Sequence, residues 1–318
     1  MTLYINEDTV QKNLTMLKAI ELVEASFIDR ANGRAFDIPR VRTRQPNGHL
    51  HILQAAAPKI NVIGYKAYYI QPGKSRTSLL HLINQEQGNL EAIIESDYLS
   101  QIRTGAATGV ATKYLSRPDS QVLGLFGSGR HAVTQLEAVC AVRKINEVKV
   151  FARNQERLIA FCKKMESRMG VTVRPAISPA DTIKNSDIIV TMTRSPDPLF
   201  DGALLDPGQF IAATGSNALD RREVDMETVK RSNLIVVDSK EIAKTECGDL
   251  MPAYENGLIY WENIPDLGEV IIKRSSGRTK DDDIILFESH GMALQDLYTG
   301  KYLLDSASLN GFGVALPF

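Results

Sequence analysis

Lys66 interrupts the apolar, aromatic run GYKAYY. An ammonium in that setting calls for a partner or a ligand, because lysine is rarely buried unpaired. Arg103 and Thr104 open the small-residue stretch QIRTGAATGVATKYL, whose glycines and alanines let another backbone or a cofactor come close. Arg40, Arg42 and Arg44 alternate in IPRVRTR, so a strand would put all three on one face. Such a face is either a solvated edge guarded by charge or one wall of an anion site. With Arg103 and one of the strand arginines, Lys66 would complete a clamp for a small carboxylate.

A second set of residues suits a nucleotide. VLGLFGSGRHA runs an apolar segment into Gly127, Ser128 and Gly129, then opens a helix with Arg130 and His131. The Gly-x-Gly-x-x-Ala spacing ends on Ala132, and it lies between a strand and a helix as a dinucleotide-binding turn requires. Gly127 permits the tight turn. Gly129 bares backbone N–H groups to a pyrophosphate at the positive end of the helix, and Ala132 allows close packing. The next strand ends in VFARN, where Arg153 and Asn154 stand in place of the acid of an NAD-binding chain, with Arg157 one turn on. Guanidinium groups there suit a 2′-phosphate. NADPH is therefore the expected cofactor, with NADH possible; a solvated Arg153 is the plainer alternative.

Two kinds of domain are needed to position these residues. Up to about Leu115, strand-like runs such as HLHILQAAA and NVIGYKAYYI precede the hairpin TSLLHLINQEQGNLEAIIES. A helix from Asp8 to Ala31 is expected before them and another from Asp97 to Tyr114 after. From Asp119, strands (SQVLGLFG, EVKVFAR, VTVRPA, DIIVTMT, QFIAATG, NLIVVDS) alternate with helices at the spacing of βαβ units. Short apolar strands of this kind suit a buried parallel sheet. The fold class is α/β: a Rossmann-type doubly wound parallel sheet plus an α+β domain. DIILFESHGMALQDLYTGKYLL begins as a strand, becomes a helix and is expected to pack back on the first domain. The expected domains are residues 1–115 with 292–318, and 116–291. Asp220 is expected to cap a helix begun by RREVD.

The bulk numbers set limits. A chain of 318 residues fits two domains, and 43% hydrophobic with 24% charged residues is ordinary for a globular protein. A formal net charge of −1 gives no general attraction to nucleic acid or to an anionic membrane. No apolar run is long enough to span a bilayer. The start MTLYINEDTVQKNL lacks the basic head and long apolar stretch of a signal peptide, so a cytoplasmic location is expected. Cys140, Cys162 and Cys247 are too sparse for a disulfide framework or a zinc site. The first two read as core residues and Cys247 as exposed. The run Asp281 to Asp283 reads as a solvated loop, and no metal is expected.

The segments IPRVRT, GYKAYY, QIRTGAATGVATKYL, LGLFGSGRHA, DIIVTMT, ATGSNALDRREVD, VVDSKEIAKTECGDL and LFESHGMALQDL occur in the order and spacing of a known family. The chain resembles the ornithine cyclodeaminase/μ-crystallin family of NAD(P)-dependent proteins over most of its length. The resemblance implies that the first domain, completed by the C-terminal helix, binds substrate and forms a homodimer, while the middle domain binds the nucleotide. It matches Lys66 and Arg103 to carboxylate-binding positions, with Arg42 chosen as the third and Arg40 in reserve. Thr104 matches a position near the cofactor phosphates. Thr191, Met192, Thr193, Ser216 and Ser289 would lie near the ribose and nicotinamide. The cyclodeaminases of the family carry an acid where this chain has Asn217, in GSNALD. An amide is no general base at neutral pH, which argues against ornithine cyclodeamination and leaves Asn217 to hydrogen-bond the substrate nitrogen or the ribose.

These readings converge on an NAD(P)H-dependent oxidoreductase that reduces the C=N bond of a small imino acid, cyclic or acyclic, to an amino acid. Lys66 or a bound water would supply the proton. An alanine-type amino-acid dehydrogenase acting on an oxo acid and ammonia, an ornithine cyclodeaminase, and a non-catalytic NADPH-binding protein are the alternatives.

Overall fold

A computed structural model gives the fold and describes residues 2–74 and 77–317. The chain divides into two compact units. The first holds residues up to Arg103 together with Met292–Phe318, and the second holds Thr104–Gly291. The first division falls inside the helix Asp97–Leu115, not after it.

The first unit is built on an eight-stranded sheet. From one edge the strands are Val314–Leu316, Thr2–Ile5, Leu90–Glu95, Ser78–Asn84, Val62–Ile70 and Gly48–Ala57. Gly48–Ala57 then pairs with both Phe36–Asp37 and Val41–Gln45. All neighbours are antiparallel except Thr2–Ile5 with Leu90–Glu95. Side chains alternate across the sheet as the pleat demands. Leu53, Ala55, Lys66, Leu80, Leu82, Ala92 and Ile94 are buried on one face, against the helix Ala293–Asn310. That helix seats closely because Gly300 faces the sheet: a Cβ there would lie 2.5 Å from Leu80 Cδ2. The C-terminal helix therefore packs on the sheet of the first unit.

The single helix expected from Asp8 to Ala31 is two helices, Glu7–Asn13 and Met16–Ala31. Asn6 caps the first, and Thr15 caps the second by accepting from the Lys18 N–H. Leu14 between them is extended and buried, so an apolar anchor and a cap override helical continuity. Near the end of the second helix lies Asp29. It accepts from the Tyr298 hydroxyl at 2.7 Å and pairs with Arg34 at 2.9 Å and Lys59 at 3.1 Å.

The second unit is a seven-stranded, wholly parallel sheet. Its order is Thr172–Pro175, Glu147–Phe151, Val122–Phe126, Ile188–Thr191, Phe210–Ala213, Ile285–Glu288 and Leu234–Val237. The order reverses between Val122–Phe126 and Ile188–Thr191, the place where doubly wound sheets take ligands at their carboxyl ends. Ile188–Thr191, Phe210–Ala213 and Ile285–Glu288 are buried at every position, which explains their unbroken apolar runs. Two expectations fail here. Asp220 caps no helix: residues 221–225 are not helical, and Asp225 caps Met226–Arg231. Cys247 is fully buried in an apolar cluster with Val237, Ala243 and Leu250, because TECGD ends a short helix that packs inward.

Burial alone would push the Asp29 carboxyl up, but the Tyr298 hydroxyl and the Lys59 and Arg34 charges outweigh it and hold the group below its ordinary value. Its stabilising effect is then full above the ordinary carboxylate pKa and is lost as the pH falls through the lowered one. Asp29→Asn is expected to cost about 1–3 kcal/mol at neutral pH. Urea unfolding should show the difference from wild type shrinking below pH 4; an equal difference at pH 7 and pH 3 would rule out the ionic account.

Candidate active site

The first unit gathers the cations. Register sets the arrangement: Leu53 lies opposite Lys66, and Lys66 opposite Leu80. Arg40 immediately precedes the strand that starts at Val41, and Arg42 pairs with His51, on the same sheet face as Lys66. Arg40 is buried and its charge reaches Lys66. Arg42 is half-buried and Arg44 exposed. His51 stacks on Tyr68 beside this row, with ring centroids 4.8 Å apart. Gln54, Tyr65 and His81 project from the opposite face.

Lys66 is 1% exposed. Its Nζ donates to Asp296 Oδ1 at 2.7 Å and to Ser100 Oγ at 3.0 Å. Arg103 donates from Nε to the same Asp296 oxygen at 3.2 Å and from Nη1 to Gln295 Oε1 at 3.0 Å. Burial pushes the Lys66 ammonium down to about 7, helped by the Arg103 and Arg40 charges and opposed by Asp296. The second Asp296 oxygen, Oδ2, is buried and accepts no hydrogen bond from the described residues. Asp296 was not singled out from sequence. The available signal was an acid in the apolar helix GMALQDLYTG, which has to answer a buried cation somewhere.

The second unit carries the nucleotide-type turn. Gly127 has φ +112°, and a Cβ there would lie 2.5 Å from the Met192 carbonyl oxygen, so only glycine fits. Gly129 is the N-cap of the helix Arg130–Val142, without a side-chain cap and with open space at its Cβ position. The start of that helix therefore has room for an anion at its positive end, and the turn fits a dinucleotide pyrophosphate there. Gly105 meets the Thr134 backbone, where a Cβ would lie 2.3 Å from its carbonyl oxygen; the small-residue stretch after Thr104 serves close helix packing. Arg130, Arg153 and Arg157 are exposed. Asn154 has a structural duty as N-cap of the helix Gln155–Met169, accepting from the Arg157 N–H at 2.9 Å.

Buried carboxylates organise the loops at the carboxyl ends of these strands. Glu223 accepts from the Thr191 hydroxyl at 2.8 Å, from the Thr193 N–H and hydroxyl at 2.6 Å each, and from the Gly215 N–H at 2.7 Å. Burial pushes its carboxyl up to about 7 against those bonds. Asp249 accepts from the N–H groups of Glu223 and Val224. Asp238 accepts from the Ser289 hydroxyl at 3.0 Å and the His290 and Gly291 N–H groups at 2.8 and 2.7 Å. Ser216 is buried and Asn217 half-buried in the Gly215 loop. Thr191, Thr193 and Ser289 are therefore engaged with acids that motif reading passed over.

The ornithine cyclodeaminase/mu-crystallin family model matches residues 2–311. The chain belongs to that family. It is 32% identical to a Delta(1)-pyrroline-2-carboxylate reductase of Bacillus cereus, with 84% of each chain covered. Among solved structures, the Delta(1)-pyrroline-2-carboxylate reductase of Thermococcus litoralis, in complex with NADH and L-proline, superposes with a TM-score of 0.95 at 31% identity. The match covers 99% of this chain and 100% of that one. An archaeal alanine dehydrogenase dimer with bound NAD gives 0.93 at 30% identity, covering 100% and 99%. Within the family fold, no helix of the described residues is long and apolar enough to cross a membrane.

Glu223→Gln replaces an acceptor of four hydrogen bonds with an amide that presents N–H groups to donors. It is expected to lower stability by about 2–4 kcal/mol and to weaken dinucleotide binding at least about tenfold. Calorimetric titration with NADPH and NADH checks this; unchanged affinity in a folded variant would show that the loops hold without Glu223.

Proposed function

We propose that the protein is an NAD(P)H-dependent reductase of the C=N bond of a small imino acid, giving an L-amino acid in the cytoplasm. The observation that carries this reading is the buried charge around Lys66. Two cations, Lys66 and Arg103, share one carboxylate, Asp296, and the Arg40 charge also reaches Lys66, so the pair keeps an excess of positive charge for an anionic substrate. Arg42 lies on the same sheet face and is the family-matched contributor; Arg40 is buried and its charge reaches Lys66. The substrate carboxylate is assigned to these guanidinium groups and the Lys66 ammonium.

The dinucleotide would be held by the Gly127–Gly129 turn and the amides of Arg130 and His131, and when bound it supplies the hydride. Arg153 and Arg157, joined by Arg130, favour NADPH through the 2′-phosphate. Thr104, Ser128, Met192, Thr193, Ser216 and Ser289 are assigned to the same cofactor. The chain's own residues handle the proton. Lys66 Nζ, held near neutrality, can donate to the imine nitrogen, and Asp296 Oδ2 is free to accept the N–H that results. Asn217 would hydrogen-bond the substrate nitrogen without acting as a base. The similarity to an alanine dehydrogenase supports a second reading, reductive amination of an oxo acid with ammonia.

The protein is further proposed to form a homodimer through the open face of the first unit's sheet. Ile63 is 44% exposed there, and Tyr65, Leu79, His81 and Ile83 lie beside it. Light scattering should give twice the 35.1 kDa chain mass; a monomer at micromolar concentration would refute it.

The first test follows NADPH and NADH loss with pyrroline-2-carboxylate, piperideine-2-carboxylate, and oxo acids with ammonia or methylamine. Fast loss with a cyclic or acyclic imine is expected, and loss only with ammonia and pyruvate would favour the dehydrogenase. Lys66→Met should lower kcat/KM about a hundredfold or more. Pyrrole-2-carboxylate, which carries no titrating nitrogen, should bind the protonated Lys66 form. Its affinity is expected to fall as pH rises through about 7, by roughly tenfold per unit, in wild type but not in Lys66→Met. A flat profile in wild type would remove Lys66 from the clamp.

A further inference from the structure

The second unit holds one buried cluster that the proposed reaction leaves unused. Cys247 ends the helix Lys240–Glu246, and Glu288 and His290 flank Ser289 at the end of the strand Ile285–Glu288. The Cys247 sulfur, a Glu288 carboxylate oxygen and a His290 ring nitrogen all lie within 4.8 Å of one another. Glu288 Oε2 stands 3.9 Å from His290 Nε2. The three residues are 0%, 1% and 4% exposed. Glu288 Oε1 is buried and has no hydrogen-bond partner among the described residues. On the other side of the imidazole, Nδ1 faces Asp238 Oδ1 at 3.7 Å. A carboxylate behind a ligating histidine is the usual means of orienting the ring toward a metal.

Burial pushes the Glu288 carboxyl well up, and the nearby Asp249, Glu223 and Asp238 add to the effect. Burial likewise raises the Cys247 thiol, with Glu288 and Asp249 contributing. Without a cation, burial thus holds both groups as neutral acids. A divalent ion would reverse that balance by offsetting one thiolate and one carboxylate.

We propose that Cys247, Glu288 and His290 form a binding site for a divalent transition metal, with zinc the ion that best suits one sulfur, one oxygen and one nitrogen donor. Bonds of 2.0–2.3 Å at tetrahedral angles put donor atoms roughly 3.3–3.8 Å apart, so the Glu288–His290 spacing of 3.9 Å already fits and donors up to 4.8 Å apart would draw in by about 1 Å. Three protein donors leave a fourth position for water or another small ligand. Binding displaces two protons, one from the Cys247 sulfur and one from the Glu288 carboxyl, so affinity rises with pH. The site joins the end of a helix to the 288–291 loop that Asp238 already holds. The proposal is independent of the activity proposed above. Sequence spacing hid it because only Glu288 and His290 are neighbours, and Cys247 is brought in by the fold.

The full-length protein, purified without chelator or nickel, should hold about one zinc per chain by elemental analysis. Metal-free protein titrated with Co²⁺ should show the visible bands of tetrahedral cobalt and a thiolate-to-cobalt charge-transfer band. Added zinc should raise the melting temperature. Cys247→Ser should lose the charge-transfer band and at least tenfold in affinity, whereas Cys162→Ser, elsewhere in the unit, should keep both. Absence of zinc together with no cobalt spectrum would overturn the proposal, as would full binding in Cys247→Ser. If Cys247→Ser does not fold, the wild-type cobalt spectrum decides: a thiolate band supports the site and its absence rejects it.

Discussion

A carboxylate sealed from water has to be given donors or a cation, and both units are arranged around that requirement. In the first, Asp296 takes Lys66 and Arg103. In the second, Glu223, Asp249 and Asp238 collect backbone N–H groups and hydroxyls from loops that belong to neither helix nor strand. Irregular backbone at the end of a parallel sheet has no ladder to satisfy it. The acids supply what the ladder cannot, and they fix the shape of the segments that contain Thr191, Thr193, Gly215 and Ser289.

Charge bookkeeping then separates the two units. Around Lys66 the cations outnumber the acid, and the surplus suits an anionic guest. Around Glu288 burial keeps the acids neutral, and a metal would take the place of their protons. The same family frame can serve different amino- and imino-acid chemistries because the sheet positions are shared while these few polar groups differ.

Local features were legible in the sequence for physical reasons. An apolar, aromatic run marked the strand containing Lys66, and unbroken apolar runs marked the parallel strands that are buried on both faces. The Gly127 turn was legible because one backbone conformation and one close approach demand glycine. Partnerships across long separations were not. Asp296 lies 230 residues from Lys66, and no periodicity links them. Glu223 reads as an ordinary polar residue in DRREVD until the fold puts four donors around it. Cys247 looked exposed from its polar neighbours, whereas packing of a short helix decided its burial. The break at Leu14 was missed because a cap and one apolar anchor outweigh a continuous helical pattern.

The helix Ala293–Asn310 belongs to the first unit although the whole of the second unit precedes it in the chain. On a ribosome, residues 104–291 emerge as one continuous stretch and can close their sheet as they appear, whereas the opening hundred residues must wait, with their sheet face bare and Lys66 without its acid. Synthesis of the last segment is therefore the step that makes the first unit complete, and a chain truncated before residue 292 would expose apolar surface that a chaperone or protease could recognise.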